Sequence, residues 1–127
     1  MKRFEKRAAA IGLTRSEALA CIPEKSRQVK ETILEDGNVL LDYTVTVRPW
    51  FSGLLKRMGV GADGRIAKKL QLDELGTQVW ALVDNRKTVR EIVRDFALSH
   101  QLMEKEAEVA VTRFVRELGK RGLIGLR

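Results

Sequence analysis

Residue types on which catalysis and metal binding depend are nearly missing from this chain. It contains one cysteine and one histidine among 127 residues. Cys21 therefore cannot form an internal disulfide, and no second thiol or histidine cluster lies near it at a metal-binding spacing. We interpret Cys21 as an idle or buried thiol, and His100 as a surface residue in a polar turn after a helix.

Long apolar runs are also missing. No stretch approaches the roughly 20 apolar residues that a membrane helix needs, and too few apolar residues follow the basic start for a signal peptide. We therefore expect a cytoplasmic protein. The composition, 44% hydrophobic and 32% charged, is that of a globular chain. The length suits one domain, or one domain with an appendage.

The chain shows no constellation of catalytic groups. Its paired carboxylates, at residues 35–36 and 73–74, fall at a turn and at a helix start, where acids are favoured for structural reasons. The glycines at 59, 61 and 64 do not match a phosphate-binding spacing. The sequence therefore predicts a protein that is not an enzyme, with no metal site and no cofactor.

The net charge of +7 is unevenly distributed. Residues 1–30 carry eight bases and three acids, residues 31–47 carry four acids and no base, and residues 48–72 carry six bases and one acid. Such clusters of positive charge favour an acidic partner, which could be a nucleic acid, an anionic membrane surface or an acidic peptide.

The first half of the chain has the pattern of a small antiparallel sheet. An Asp-Gly pair at 36–37 separates two strand-like runs, 28–35 and 39–47, which predicts a hairpin. Alternating residues up to Leu72 predict a third strand. Between the second and third strands, residues 49–64 read as a short amphipathic helix and a loop. Its apolar residues either cover one face of the sheet or form a patch for a partner protein or a membrane: Trp50, Phe51, Leu54, Leu55 and Met58.

Helix signals precede and follow the predicted strands in the sequence. A capping box at Thr14 predicts a short helix that ends before Pro23. Three further helices are predicted from an N-cap at Asp73, from a capping box at Thr88, and over 104–120. Their expected apolar sides are Leu75, Val79, Trp80, Leu82 and Val83 in the first, Val89, Ile92, Val93 and Phe96 in the second, and Ala107, Val111, Phe114 and Leu118 in the third. The predicted fold class is α+β, with the outline of a winged helix-turn-helix.

The second half of the chain carries a series of motifs in a characteristic order. They are Leu72-Asp73-Glu74, Val79-Trp80, Asp84-Asn85, Lys87-Thr88-Val89-Arg90-Glu91-Ile92, Phe114, Glu117-Leu118 and Arg121-Gly122-Leu123-Ile124. Together they resemble the PqqD family (pyrroloquinoline quinone biosynthesis protein D), well over 65–127 and weakly over 28–47. We accordingly divide the chain into a basic N-terminal extension with a short helix, 1–27, and a PqqD-like winged-helix domain, 28–127, that carries the amphipathic insertion at 49–64.

The resemblance implies a function. Members of this family bind the leader of a ribosomally made precursor peptide as an extra strand, against the third strand and the third helix, and present it to a modifying enzyme, often of the radical S-adenosylmethionine type. An edge strand has unpaired backbone groups that suit this mode. The peptide-binding residues implied here are Arg65, Ile66, Ala67, Lys68, Lys69 and Leu70 on the strand, and Ala110, Arg113 and Arg116 on the helix.

Two other functions remain open at this stage. Net charge and architecture also fit a DNA-binding winged helix. Against it, Glu104, Glu106 and Glu108 occupy the first turns of the third helix and would repel phosphates. Alternatively, the chain is an adaptor that binds a folded protein through the apolar patch at 50–58.

Overall fold

The computed structural model describes residues 14–46 and 65–127, and the chain divides into two compact units. We call residues 28–72 the sheet unit and the remainder, up to 27 and from 73, the helical unit. In chain order the elements are α1 (Arg15–Ala20), β1 (Pro23–Lys25), β2 (Lys30–Ile33), β3 (Val39–Thr46), β4 (Arg65–Gln71), α2 (Glu74–Leu82), α3 (Val89–His100), α4 (Glu104–Lys120) and β5 (Ile124–Leu126).

The sheet unit is the predicted three-stranded antiparallel sheet, in the order β2-β3-β4. The hairpin turn forms at the predicted Asp-Gly: Gly37 has a φ of 87°, and the carboxylate of Asp36 accepts a hydrogen bond from the backbone N–H of Asn38 at 2.9 Å. The side chains of β3 alternate as expected, because Leu41 and Tyr43 are buried whereas Thr44 on the other face is exposed. Together with the helices, the sheet confirms the predicted α+β class.

The helices of the helical unit begin where their capping residues predict. The carboxylate of Asp73 accepts from the backbone N–H of Gly76 at 2.7 Å, and Thr88 forms a complete capping box with Glu91. The four apolar residues expected on the inner side of α3 are all buried: Val89, Ile92, Val93 and Phe96. Periodicity was a reliable guide here because α3 is strongly amphipathic.

Three expectations about single side chains are wrong. Leu75 on α2 is 52% exposed rather than part of the core. On α4, Val115 is buried and Phe114 only half-buried, although both follow Val111 at a spacing that keeps to one face of a helix, so the packing around α4 selects Val115. His100 is not in a turn after the helix: it is the last residue of α3, half-buried, with its ring 4.4 Å from that of Phe96.

Residues 14–27 fold with the C-terminal helices. The predicted capping box at Thr14 is present, and Leu19 of α1 is buried. Strand β1, which the sequence did not predict, pairs with β5, so that Pro23 is both the expected end of the preceding helix and part of a strand. Two hydrogen bonds of 2.9 Å between the backbones of Ile22 and Arg127 extend this pairing.

Asn85 connects these two strands to the loop before α3. Its φ of 65° is left-handed, a conformation that asparagine tolerates. The side-chain oxygen accepts a hydrogen bond from the backbone N–H of Lys25 at 2.9 Å, and the carbonyl accepts one from the guanidinium of Arg127 at 3.1 Å. A single turn residue thereby contacts both the N-terminal and the C-terminal strand.

Two features of the sequence lie outside the described residues. They are the basic start, residues 1–13, and the predicted partner patch of Trp50, Phe51, Leu54, Leu55 and Met58. Within the described part, Cys21 is half-buried, and its thiol lies 3.4 Å from the carbonyl oxygen of Glu17.

Candidate functional site

Strand β4 forms one edge of the sheet. Among residues 14–46 and 65–127, it pairs with β3 alone. All six strand residues predicted to contact a peptide lie in it: Arg65, Ala67, Lys68 and Lys69 are exposed, and Ile66 and Leu70 are half-buried. An edge strand with accessible side chains is a suitable surface for a further strand.

The register defines which backbone groups of β4 face outward. The backbone N–H of Leu72 donates to the carbonyl of Val39 at 2.8 Å, so these two residues form a hydrogen-bonded pair. Such pairs alternate along an antiparallel ladder. Residues 66, 68 and 70 therefore direct their N–H and C=O groups toward β3, whereas Ala67, Lys69 and Gln71 direct theirs away from it. We call these last three residues the outer backbone of β4.

The two lysines of β4 lie on opposite faces of the sheet. Lys68 is opposite Tyr43 and shares its face, whereas Lys69 is opposite Asp42, with 3.9 Å between its ammonium nitrogen and the carboxylate. The Lys69 side chain is 71% exposed in spite of this contact. A strand added at this edge would thus meet one lysine on each face, and β4 contains no acid that would compete for them.

Helix α4 holds the other predicted peptide-binding residues. Ala110 is half-buried, and Arg113 and Arg116 are exposed. With a rotation of about 100° per residue, Arg113 lies about 60° from Ala110 around the helix axis and Arg116 about 120° from it. Ala110 and Arg113 therefore share one flank of α4, while Arg116 is turned further from that flank.

Gln71 is the residue of this edge that the sequence analysis missed. Its side chain is exposed, and its backbone belongs to the outer set. The alternation of residues 66, 68 and 70 was visible in the sequence, but it defines only the faces of a strand. Which alternate residues also present their backbone outward depends on the pairing with β3.

The acidic start of α4 has structural partners. The carboxylate of Glu106 accepts a hydrogen bond from the backbone N–H of Met103 at 3.1 Å, and that of Glu108 binds the guanidinium of Arg15, with 2.7 Å between Nε and Oε2. These carboxylates cap the helix and hold α1. No contact of the described residues favours the DNA-binding alternative.

The pair formed by Arg15 and Glu108 predicts a pH dependence. The hydrogen bond and charge of Arg15 lower the pKa of Glu108 below its ordinary value of 4.5. A carboxylate with a lowered pKa in the folded state stabilises the fold above its unfolded pKa, and this contribution is lost as the pH falls through the folded pKa. The effect is small because the side chain of Arg15 is 66% exposed and solvent screens its charge.

We therefore expect wild-type protein to be slightly more stable than Glu108→Gln at neutral pH, with a difference that closes below pH 4.5. Urea unfolding of both proteins over a pH series measures this difference. A difference that stays constant across the acidic range would contradict the proposed contact.

Comparison with known proteins places this edge within a family. Residues 63–124 match the sequence model of "Coenzyme PQQ synthesis protein D (PqqD)". This segment belongs to the PqqD family. The PqqD-family segment includes β4 and all of α2, α3 and α4. The resemblance noted in the sequence is thereby confirmed.

A solved structure shows a similar fold. The chain described as "TbiB1 in Complex with the TbiA(beta) Leader Peptide" superposes with a TM-score of 0.54, at 20% sequence identity, over 80% of this chain and 93% of that one. At this identity the likeness concerns the fold. A comparison with curated proteins found no significant match.

Other kinds of site find no support in the described residues. Within 14–46 and 65–127, no group of three or more histidine, cysteine or acidic side chains is arranged to hold a metal ion. Within the same ranges, no helix has both the length and the apolar character needed to cross a bilayer. The outer edge of β4 is thus the candidate functional site within the described residues.

Proposed function

We propose that this protein is a peptide-binding module that docks the leader of a precursor peptide as an added strand on β4. The observation that carries the proposal is the outer backbone of β4, at Ala67, Lys69 and Gln71, in an edge strand of the PqqD-family segment. The similar fold of TbiB1, a protein solved with a leader peptide, supports it.

Strand addition divides affinity and specificity between two kinds of group. Main-chain hydrogen bonds, each worth about 0.5–1.5 kcal/mol, bind any extended peptide. Selection among peptides depends on the side chains of β4. The half-buried Ile66 and Leu70 offer apolar contacts, and Lys68 and Lys69 attract acids. The preferred peptide is therefore extended, with apolar and acidic residues.

The remaining parts of the proposal follow the family. Ala110, Arg113 and Arg116 of α4 provide a second set of peptide contacts, with Arg113 adding positive charge. The protein acts in the cytoplasm as a binding partner and not as a catalyst. It presents the bound peptide to a modifying enzyme of the radical S-adenosylmethionine type.

Amide hydrogen exchange tests strand addition residue by residue. The probe is a synthetic leader-like peptide in which apolar and acidic residues alternate, added to isotopically labelled protein and followed by NMR. We expect exchange at Ala67, Lys69 and Gln71 to slow by roughly tenfold or more, because the peptide pairs with these amides. The inner amides of Ile66, Lys68 and Leu70 should change little, since they already bond to β3.

Strand β2 provides an internal control. Ile33 lies on the opposite edge of the same sheet, and its backbone also faces outward because its neighbours Thr32 and Leu34 are in the hydrogen-bonded positions toward β3. Its amide should exchange at an unchanged rate. Protection at Ile33 instead of β4, or protection of α3 and α4 without β4, would refute docking on this edge. Duplex DNA binding with a steep salt dependence would favour the alternative.

A further inference from the structure

A groove runs along α3 and the beginning of α4, entirely within the helical unit. Two clefts of about 250 Å³ and about 540 Å³ share Glu104 in their walls. The first lies beside Arg15 and Arg90, and the second beside Arg94 and Leu98. We call the two together the α3–α4 groove.

The groove is apolar at its base and at one end. Leu19 and Val93 are buried at the base of the first cleft, and Ala97 and the half-buried Leu102 line the second. Leu98, at the same end, is 80% exposed. The exposed side chain of Leu98 thus enlarges the apolar surface at this end of the groove.

The rim of the groove is basic. It contains four bases, Arg15, Arg90, Arg94 and Lys105, against the two acids Glu104 and Glu108. Arg15 pairs with Glu108, and Arg94 approaches Glu104, with 3.5 Å between Nε and Oε1. Arg90 and Lys105 form no ion pair with any residue in the described ranges. Four bases against two acids leave the rim with a net charge of +2, and Arg90 and Lys105 act on Glu108 from beyond ion-pair distance.

The spacing of the groove residues fits a helical ligand. Arg90, Arg94 and Leu98 follow one another at four-residue intervals on α3, so they form a ridge about 12 Å long that is inclined to the helix axis. A helix lying beside such a ridge presents anchors at three- and four-residue spacing. A carboxylate near Arg90 and an apolar residue near Leu98 would lie about two turns apart on that helix.

We propose that the α3–α4 groove receives an acidic amphipathic helix of a second protein. A second copy of this chain would bring the same net positive rim to the interface, and the two rims would repel each other. The chain's own segments 1–13 and 47–64 are also basic, with four bases against one acid and three bases against one acid. Charge complementarity thus favours an acidic protein helix, and this does not depend on strand addition at β4.

A pair of designed peptides tests the proposal on the intact protein. One peptide of about 18 residues, or about five turns, carries a leucine stripe flanked by glutamates, and its matched partner carries lysines at the glutamate positions. Fluorescence anisotropy measures the affinity of each. We expect binding of the acidic peptide only. The double variant Arg90→Glu/Lys105→Glu should weaken this binding by roughly tenfold, since each attraction becomes a repulsion.

Matched variants separate the groove from general charge and apolar effects. Leu98→Asp should also abolish most of the binding. Arg86→Glu and Leu75→Asp, which change exposed residues outside the groove, should leave it within about twofold of wild type. Ala67→Pro on β4 should have no effect, so that failure here is distinguishable from failure of strand addition. Equal binding of the lysine peptide, equal loss in the control variants, or displacement of the acidic peptide by duplex DNA would overturn the proposal.

Discussion

The Ala67→Pro variant is expected to fold like the wild-type protein but to bind the leader peptide roughly tenfold to hundredfold more weakly. The N–H of residue 67 faces away from β3, so proline removes no hydrogen bond of the sheet. It removes a donor that a docked strand needs, and its ring lies where that strand would approach. Isothermal titration with the synthetic leader peptide measures the loss.

The matched control introduces a proline at an outward-facing position of β2, the opposite edge strand of the sheet. Ile33→Pro removes an outward N–H from β2. Because Ile33 is 75% exposed, the substitution removes no side chain from the core. Circular dichroism and urea unfolding should show both variants folded. If Ile33→Pro weakens the peptide as much as Ala67→Pro, or if neither weakens it, docking on β4 is wrong. Loss confined to Ala67→Pro supports it.

Charge reversal on β4 is expected to have the next largest effect. With an acidic leader peptide, Lys68→Glu/Lys69→Glu should weaken binding by roughly tenfold at low salt, because cross-strand opposite charges attract and like charges repel by up to about 1 kcal/mol each. Added salt should reduce the difference, since the screening length falls from about 10 Å at 0.1 M to about 3 Å at 1 M. Titrations at two salt concentrations measure both effects.

Asp42 makes a close control available for one of these lysines. On the sheet it lies between Lys69 of β4 and Lys30 of β2. Lys69→Glu and Lys30→Glu therefore place a like charge beside the same carboxylate, and both should cost similar stability. Only Lys69→Glu should weaken the peptide. Equal effects on binding would show that the loss comes from the sheet and not from the edge.

The two proposed surfaces belong to different units of the chain and recognise different shapes. The outer backbone of β4 suits an extended peptide, which it binds through main-chain hydrogen bonds. The α3–α4 groove suits a helix, which it binds through an apolar base and two basic residues, Arg90 and Lys105. A module that holds a peptide for another protein needs two such surfaces, and each has its own variants and controls.

The fold class and most element boundaries could be predicted from the sequence. The capping boxes at Thr14 and Thr88, the N-cap at Asp73 and the Asp-Gly turn each lie at the predicted place. All are local signals, in which a side chain bonds to backbone within three residues of itself. The predicted binding strand is also present as β4.

The strand that the sequence did not predict and the core residue that it predicted wrongly both depend on residues distant in the chain. Strand β1 escaped prediction because three residues with a proline have little strand character of their own, and they become a strand only through pairing with β5 about a hundred residues later. The burial of Val115 in place of the predicted Phe114 has a similar origin. Both are apolar, and the neighbours packed around α4 decide which of them is buried.

The sequence alone determined the types and order of the elements and the positive charge of β4, because capping, turn formation and periodicity act over a few residues. Only the tertiary structure decided which side of β4 faces away from β3 and which of its amides face outward. That choice follows from the hydrogen bond between Leu72 and Val39, which defines the register between β3 and β4. These strands are separated by 18 residues, 47–64, so a local sequence pattern cannot define their register.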